Sequence, residues 1–408
     1  MRLTRIARRL APALMLATAL PDAAGAIPAF ARRYGASCAL CHSAPPRLNA
    51  LGEQFAANGF QFQRGSTAPD TTSTGDPLLH LMAALPLAVR VDAFAQMETR
   101  PRPGIPGTDL LMPYVIKLLS GGQIARNVSY YMYFLLAERG EVGGLEDAFL
   151  QFSDVLAPQL DLVVGQFQAS DPMFKRELRL TFEDYQPYRM RVGASGADLT
   201  YERGAMAAYS PWAGGDVVLE LLNGEGLNGA NDYRHYSTEG AKHVLGRISQ
   251  DAGPVRLGLV GYYGADRGAG ERNRIVMLGP DATVSLPIPG GAELNLQYLR
   301  RQDGNPFLEA GGPEVKTDAA FAELTWMPAG PTGRVFVTGL ANWLESDHQA
   351  LSLRLGEQND PVPFLKRYRT AAVNVSYLFR RNLRLAAESG YDLDTRRARA
   401  TVGAVAAF

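Results

Sequence analysis

From residue 87 onward, apolar and polar positions alternate with a period of two. In the first stretch Leu87, Val89, Val91, Ala93, Ala95 and Met97 interleave with Ala88, Arg90, Asp92, Phe94 and Gln96. The last stretch repeats the pattern: Ala398, Ala400, Val402, Ala404, Ala406 and Phe408 share one parity, and Arg397, Arg399 and Thr401 the other. Successive side chains of a strand point to opposite faces, so this parity sets an apolar face against a polar or charged one. Further strands are predicted at 112–120, 127–138, 145–153, 159–167, 197–208, 216–223, 241–249, 255–263, 274–287, 291–301, 319–327, 334–344, 367–379 and 382–391. With the two terminal strands they make about 16, an even number that closes a barrel with both ends on one side.

The connections carry an independent signal. Tight turns are predicted at 121–122, 154–158, 210–215, 251–254, 289–290, 328–333 and 380–381, and longer links at 99–107, 169–188, 224–240, 301–316 and 345–365. Short turns at one end and long loops at the other are the asymmetry of a bacterial transmembrane barrel, with the short end periplasmic. Soluble β-sandwiches give no reason for it. Residues 86–408 are therefore expected to form an all-β transmembrane barrel in the outer membrane of a Gram-negative bacterium, its wall in contact with outer-membrane lipid. A barrel of that size encloses a water-wide lumen. One long loop contains the amphipathic segment 174–185, which either folds into the lumen or lies on the surface.

The first 26 residues read differently. Arg2, Arg5, Arg8 and Arg9 precede a short apolar run ending at Leu20, and Ala24-Gly25-Ala26 supplies small residues for cleavage. This is the pattern of a secretory signal peptide, and the run is too short to span a bilayer. Charge then narrows the partners. The chain holds 41 Lys and Arg against 41 Asp and Glu, a balance that argues against nucleic acid.

The cysteines change the picture. There are two, in the run Cys38-Ala39-Leu40-Cys41-His42. In an exported chain, C-x-x-C-H is the pattern of covalent c-type haem attachment. Two thiols one helical turn apart reach the vinyl groups on one porphyrin edge, and the adjacent histidine becomes the proximal iron ligand. A zinc site needs a second ligand pair, which is missing nearby. Phe30, Tyr34 and Cys38 share a helical face, Pro45-Pro46 breaks the chain, and Leu48, Leu51, Phe55 and Ala56 form a second helical pattern closed by Asn58-Gly59. Residues 27–85 are thus expected to be a small α-helical module with one haem c bound through Cys38, Cys41 and His42. Its core is thin, and the module is small enough to plug the lumen. Residues 66–75 read as a linker or loop. For the sixth iron position His80 and Met82 are the nearest candidates. Met97 falls on the lipid face, and a loop residue such as Met173 or an open site remain alternatives.

The module's residues carry a resemblance. The run 30–35 (Phe-Ala-Arg-Arg-Tyr-Gly), Cys38 to His42, Pro46-Arg47-Leu48-Asn49, Gly52, Phe55 and Asn58-Gly59-Phe60 resembles the monohaem cytochrome–porin fusions of the outer membrane, whose best-known members are iron-oxidising cytochromes. Within the barrel, Val164-Gly165-Gln166-Phe167 is similar to a porin strand. The resemblance implies haem c at Cys38 and Cys41, His42 as proximal ligand, and an electron-transfer conduit rather than a conventional enzyme. Its partners would be an extracellular donor such as Fe(II) and a periplasmic carrier such as a soluble cytochrome c. Glu345, Asp347 and His348, close together in one outer loop, offer hard and borderline ligands to Fe(II). The alternative is a transport porin whose haem domain is a gate or sensor, with Arg397 and Arg399 lining a path for anions. A haem enzyme would need an open sixth position and a distal acid–base group.

Overall fold

The computed structural model describes residues 29–101, 104–237, 241–268, 270–353 and 364–408. The signal peptide assigned to residues 1–26 lies outside them. The 16 barrel strands are β1 (Leu87–Glu98), β2 (Thr108–Ala125), β3 (Val128–Glu138), β4 (Gly144–Phe152), β5 (Leu160–Gln168), β6 (Tyr201–Trp212), β7 (Gly215–Leu222) and β8 (His243–Ala252). They continue as β9 (Val255–Gly268), β10 (Glu271–Leu286), β11 (Ala292–Asp303), β12 (Val315–Trp326), β13 (Val335–Ser346), β14 (Arg367–Arg380), β15 (Leu383–Asp392) and β16 (Arg397–Ala407). Each pairs antiparallel with its neighbours, and β16 closes on β1 from Arg399↔Glu98 to Ala407↔Arg90. Phe408 completes the seam, exchanging both backbone hydrogen bonds with Val89 at 2.6 and 2.9 Å. Closure removes every free strand edge, the condition for crossing hydrocarbon with strands.

The barrel is inside-out relative to a water-soluble protein. On β14, Val373, Val375, Tyr377 and Phe379 are exposed, while Thr370, Asn374 and Ser376 are buried. On β1, Met97 is exposed and Asp92 and Phe94 are buried, with Arg90 donating to Asp92 at 2.8 Å. The parity read from the sequence therefore assigns the lipid and lumen faces. The three tryptophans, Trp212, Trp326 and Trp343, all lie outward near strand ends, where amphipathic rings favour the bilayer interface.

Several boundaries differ from the sequence reading. The strand expected at 197–208 runs over Tyr201–Trp212, which narrows the turn expected at 210–215 to 213–214. Two further differences have direct physical reasons. Gly121-Gly122 is no turn: β2 runs through it to Ala125, and the turn falls at 126–127. The glycines make room. A Cβ at Gly121 would press on Phe30 and Tyr131 at 3.1 and 3.0 Å, and one at Gly122 would strike Arg33. At the other end β9 and β10 pair as far as Gly268↔Glu271, so this connection is tight although it lies at the long-loop end.

Two bodies fill the lumen. The first is the N-terminal module, with α1 (Ala29–Tyr34) and α2 (Ala50–Ala57). The second is the connection between β5 and β6. It folds inward, contains a 3-10 turn at Arg176–Leu178 and a helical turn at Gln186–Arg189, and pairs Met190–Val192 with Leu351–Leu353. The amphipathic segment 174–185 is therefore a lumen element, not a surface loop.

Candidate functional site

Gly35, at φ +59°, ends α1, so Cys38 does not continue that helix. It opens a separate 3-10 turn, Cys38–Leu40, whose first turn is capped by Ser37 Oγ accepting from Ala39 N at 3.3 Å. The N–H groups of Cys41 and His42 both donate to the Cys38 carbonyl, at 3.2 and 2.9 Å. This turn places Cys38, Cys41 and His42 on one stretch of backbone closed on the Cys38 carbonyl. α2 then packs on it: Asn49 caps the helix by accepting from Gly52 N at 2.9 Å. A Cβ at Gly52 would run into the Cys41 carbonyl, so only glycine permits this approach.

The imidazole is oriented. His42 Nδ1 lies 3.0 Å from the Pro46 carbonyl, which can only accept, so Nδ1 carries the proton and donates. Nε2 is then the nitrogen with a free lone pair, the tautomer required of a metal ligand. Burial holds His42 below the usual histidine range, although the Pro46 and Arg47 backbone pulls the other way. Neither cysteine is in a disulfide, and burial pushes both thiols up. Leu40, Leu51 and Phe62 are exposed around the turn, apolar surface that a porphyrin would cover. These residues fit a covalently attached haem: two free thiols at the right spacing and a neutral imidazole aimed by its second hydrogen bond.

The module's own core is aromatic. Phe30 stacks on Phe60 at 5.1 Å and meets Phe55 edge-on at 5.3 Å, and Tyr34 OH donates to the Phe60 carbonyl at 2.8 Å. The stack continues into the wall, where Phe60 lies 5.4 Å from Tyr131 of β3. On that side Arg64 donates to Asp161 of β5 at 2.7 and 2.9 Å, and Gln151 of β4 donates to the Ala57 carbonyl at 2.7 Å. On the opposite side Arg47 pairs with Glu323 of β12 at 2.8 Å and with Glu293 of β11. Ala44 is fully buried against Leu180, Phe336 and Leu378. The module is thus tied to both sides of the barrel at its short-turn end. The segment 66–75 is not a free linker. The Ser66 carbonyl and the Ala68 N–H are both bonded to Gln123, and Thr71–Thr72 pairs with Leu81–Met82.

The inward connection lies against the module and is fixed by charge. Asp184 receives Arg176 at 2.6 Å and Arg189 at 3.1 Å, with Arg179 at 3.6 Å. Burial alone would raise this carboxyl, but the three guanidinium groups outweigh it and hold Asp184 well below the usual carboxylate range. Around the rim Lys117 and Tyr133 reach Glu177, Arg399 donates to Glu183 at 3.0 Å, and Glu388 accepts from Glu183 N at 2.9 Å. Tyr188 OH donates to Gln297 at 2.8 Å and Arg384 to the Leu180 carbonyl at 2.8 Å. Tyr185 OH donates to Glu323 at 2.8 Å, the same carboxylate that takes Arg47, so the two bodies meet there. None of these pairings has a short-range sequence signal.

The remaining candidates stand as follows. Cys38, Cys41 and His42 share one backbone turn. Met82 lies in the short ladder beside β2, and His80 immediately precedes that strand, its Nε2 buried without a hydrogen-bond partner. Met97 is exposed on the lipid face. Met173 packs against the large lumen cluster around Phe167 and Tyr188. Arg399 is engaged by Glu183. Glu345, Asp347 and His348 do not converge: Asp347 accepts from Lys316 N and His348 Nδ1, each at 2.9 Å, and thereby braces its own loop. Among the described residues no three His, Cys, Asp or Glu side chains are placed to hold a metal ion.

The barrel has the fold of outer-membrane porins. An anion-selective porin from Comamonas acidovorans superposes with a TM-score of 0.57 at 11% identity, covering 80% of this chain and 99% of its own. The channel DcaP of Acinetobacter baumannii gives 0.53 at 10% identity, over 79% and 96% of the two chains. OmpT of Vibrio cholerae, in a form lacking loop L8, gives 0.52 at 12% identity, over 80% and 99%. No family model matches the sequence, and no curated protein matches it. Identities this low carry the architecture of the porins to this chain.

Proposed function

We propose that this chain is an outer-membrane electron-transfer protein of the monohaem cytochrome–porin type, carrying one haem c on Cys38 and Cys41 with His42 as proximal ligand. The observation that carries the reading is the Cys38–His42 turn itself. Its imidazole is held by Pro46 in the ligand tautomer, inside a module bonded to both sides of a barrel lumen. Electrons cannot cross about 30 Å of hydrocarbon unaided. A haem seated in the mouth of a barrel gives a donor outside, Fe(II) for example, and a soluble carrier in the periplasm, such as a cytochrome c, a common contact. Outer-sphere transfer needs no acid, base or nucleophile. Purified protein should retain haem after denaturation. Anaerobic stopped-flow mixing with Fe(II) should then reduce it, seen in the haem α-band. Absence of haem stain sinks the reading, and haem that is reduced by dithionite but not by Fe(II) removes Fe(II) as donor.

A transport porin is the second reading, and the porin fold of the barrel, shared with channel proteins, favours it. Against it stand two bodies bonded across the lumen, with Arg399 already neutralised by Glu183. Single-channel conductance separates the two. A conduit conducts few ions, and a porin conducts at once on insertion.

A further inference from the structure

Most buried cations of the barrel interior are paired. Arg33, in α1, is paired at one nitrogen only. Its Nε donates to Asp70 at 2.6 Å, and its side chain is 2% exposed, yet Nη1 and Nη2 are both buried with no partner. Arginine keeps its charge in any protein environment, so these donors cannot be silenced by losing a proton. Local geometry supports the placement. Asp70 precedes the ladder that carries Met82, and its carbonyl accepts from Ala83 N at 2.7 Å. The side of Gly122 that would bear a Cβ meets both the Arg33 guanidinium and, at 3.3 Å, Met82 Sδ. Arg33's orphaned donors and Met82 therefore share one seam between α1 and β2, and α1 leads directly into the turn that begins at Cys38.

We infer that Arg33 is the anchor for a haem propionate, its terminal amines gripping the carboxylate while Asp70 fixes the guanidinium through Nε. This rests on the haem reading above and adds a positioning residue to it. The chemistry of the donor set selects the partner. Two parallel N–H groups in a rigid fork match a carboxylate, and a porphyrin bound at Cys38 and Cys41 brings two carboxylates of its own. Asp70 takes only Nε and leaves those two amines without a partner. A buried guanidinium beside a propionate offsets a negative charge that otherwise favours ferric iron, so the contact also holds the reduction potential up.

The test uses the full-length protein in detergent, with Arg33→Met, Arg33→Lys and the double variant Arg33→Met/Asp70→Asn. Haem per chain is counted first, by the pyridine haemochrome, and should be one in the parent and in each variant. The resonance Raman band of propionate bending should move in Arg33→Met and in Arg33→Lys, since lysine restores charge but not the fork. The midpoint potential should fall in Arg33→Met and recover in Arg33→Lys. The double variant should keep the fall. If the fall vanishes there, the stray charge of Asp70 caused it and the proposal is overturned. A Raman band and potential unchanged in a haem-replete Arg33→Met protein overturn it too, leaving water as the partner of those amines. Should Arg33→Met fail to fold, the band in Arg33→Lys decides alone. A parent without covalent haem overturns the haem reading itself, which no result on Arg33 can do.

Discussion

The N-terminal module and the inward connection close the same lumen by different physics. The module has a small aromatic core of its own, Phe30, Phe55 and Phe60, and extends it into the wall through Tyr131. The connection has little core that is independent of the barrel. It packs its apolar side chains onto the wall, with Tyr185 stacked on Phe321 at 4.4 Å and Tyr188 and Leu199 in the large lumen cluster, and adds charge, with Asp184 at the centre of three arginines and Glu177 and Glu183 bonded to the wall. The difference is in what each body keeps for itself: the module carries a core of its own, and the connection depends on the wall for both its apolar and its charged contacts. The two touch at Glu323 and at the contact of Ala44 with Leu180, so disturbance of one should reach the other weakly.

The largest expected effect breaks the module's chemistry and leaves the connection intact. Cys38→Ala with Cys41→Ala should abolish haem stain completely. The barrel should still fold, shown by an unchanged heat-dependent gel shift, because its closure from β1 to β16 involves neither cysteine. Stain that persists in the double variant would refute attachment at this turn.

Next comes the connection. Asp184→Asn strips the shared partner from Arg176, Arg179 and Arg189 in a buried setting, where removing one side of an ion pair costs about 3–5 kcal/mol. The connection should loosen, become open to trypsin at those arginines, and let ions through. The parent has a pH limit of known sign. Its carboxyl titrates lower folded than unfolded, so the stabilisation is complete above the ordinary carboxylate pKa of about 3.9 and is lost as pH falls through the depressed folded value. The parent should therefore keep the connection protected at mild acidity and release it only in strong acid. In Asp184→Asn this acid step should be missing. Trypsin patterns that match between the two proteins at neutral pH would show that charge is not what holds the connection.

A smaller effect belongs to the seat of the haem turn. Gly52→Ala places a methyl against the Cys41 carbonyl, backbone that cannot swing aside, and overpacking of this kind costs about 1–3 kcal/mol. The variant should attach less haem per chain while the barrel's gel shift stays normal. Full haem occupancy would mean that α2 can lift off the turn at no cost.

The comparison also explains what was legible beforehand. The wall was readable because lipid and lumen impose opposite demands on alternate residues, and Val373, Val375 and Tyr377 against Thr370, Asn374 and Ser376 obey them. The Cys38–His42 run stood out because its C-x-x-C-H spacing is the one covalent haem attachment would require, which is why haem there is the proposal. Gly121-Gly122 misled because glycine reads as a turn when its partner is unseen, and here the partners are Phe30 and Arg33, about ninety positions upstream (roughly the length of a small domain). The fate of segment 174–185 was undecided for the same reason. Its carboxylates Glu177 and Glu183 meet Lys117 and Arg399, and its backbone at Glu183 donates to Glu388, partners that no local pattern connects. Long-range pairing across a lumen leaves no periodic trace.

The smallest effect concerns the loop after β13. Glu345, Asp347 and His348 combine carboxylates with an imidazole, and adjacency in sequence makes them look like a site for Fe(II). Their surroundings say otherwise. Asp347 Oδ1 accepts from both Lys316 N and His348 Nδ1, each at 2.9 Å, and Glu345 sits in the ladder between Asp318 and Arg367. Gathering all three on one ion would peel the end of β13 from its neighbours. An exposed pair such as Asp347 with His348 contributes about 0–1 kcal/mol, so its loss should be scarcely visible in stability. Changing all three residues to alanine should leave the rate of haem reduction by Fe(II) equal to the parent's, with dithionite as the control that both proteins are intact. A slower Fe(II) reaction with an unchanged dithionite reaction would restore the loop as a donor site and move the entry point of electrons from the haem's own surroundings to the outer rim.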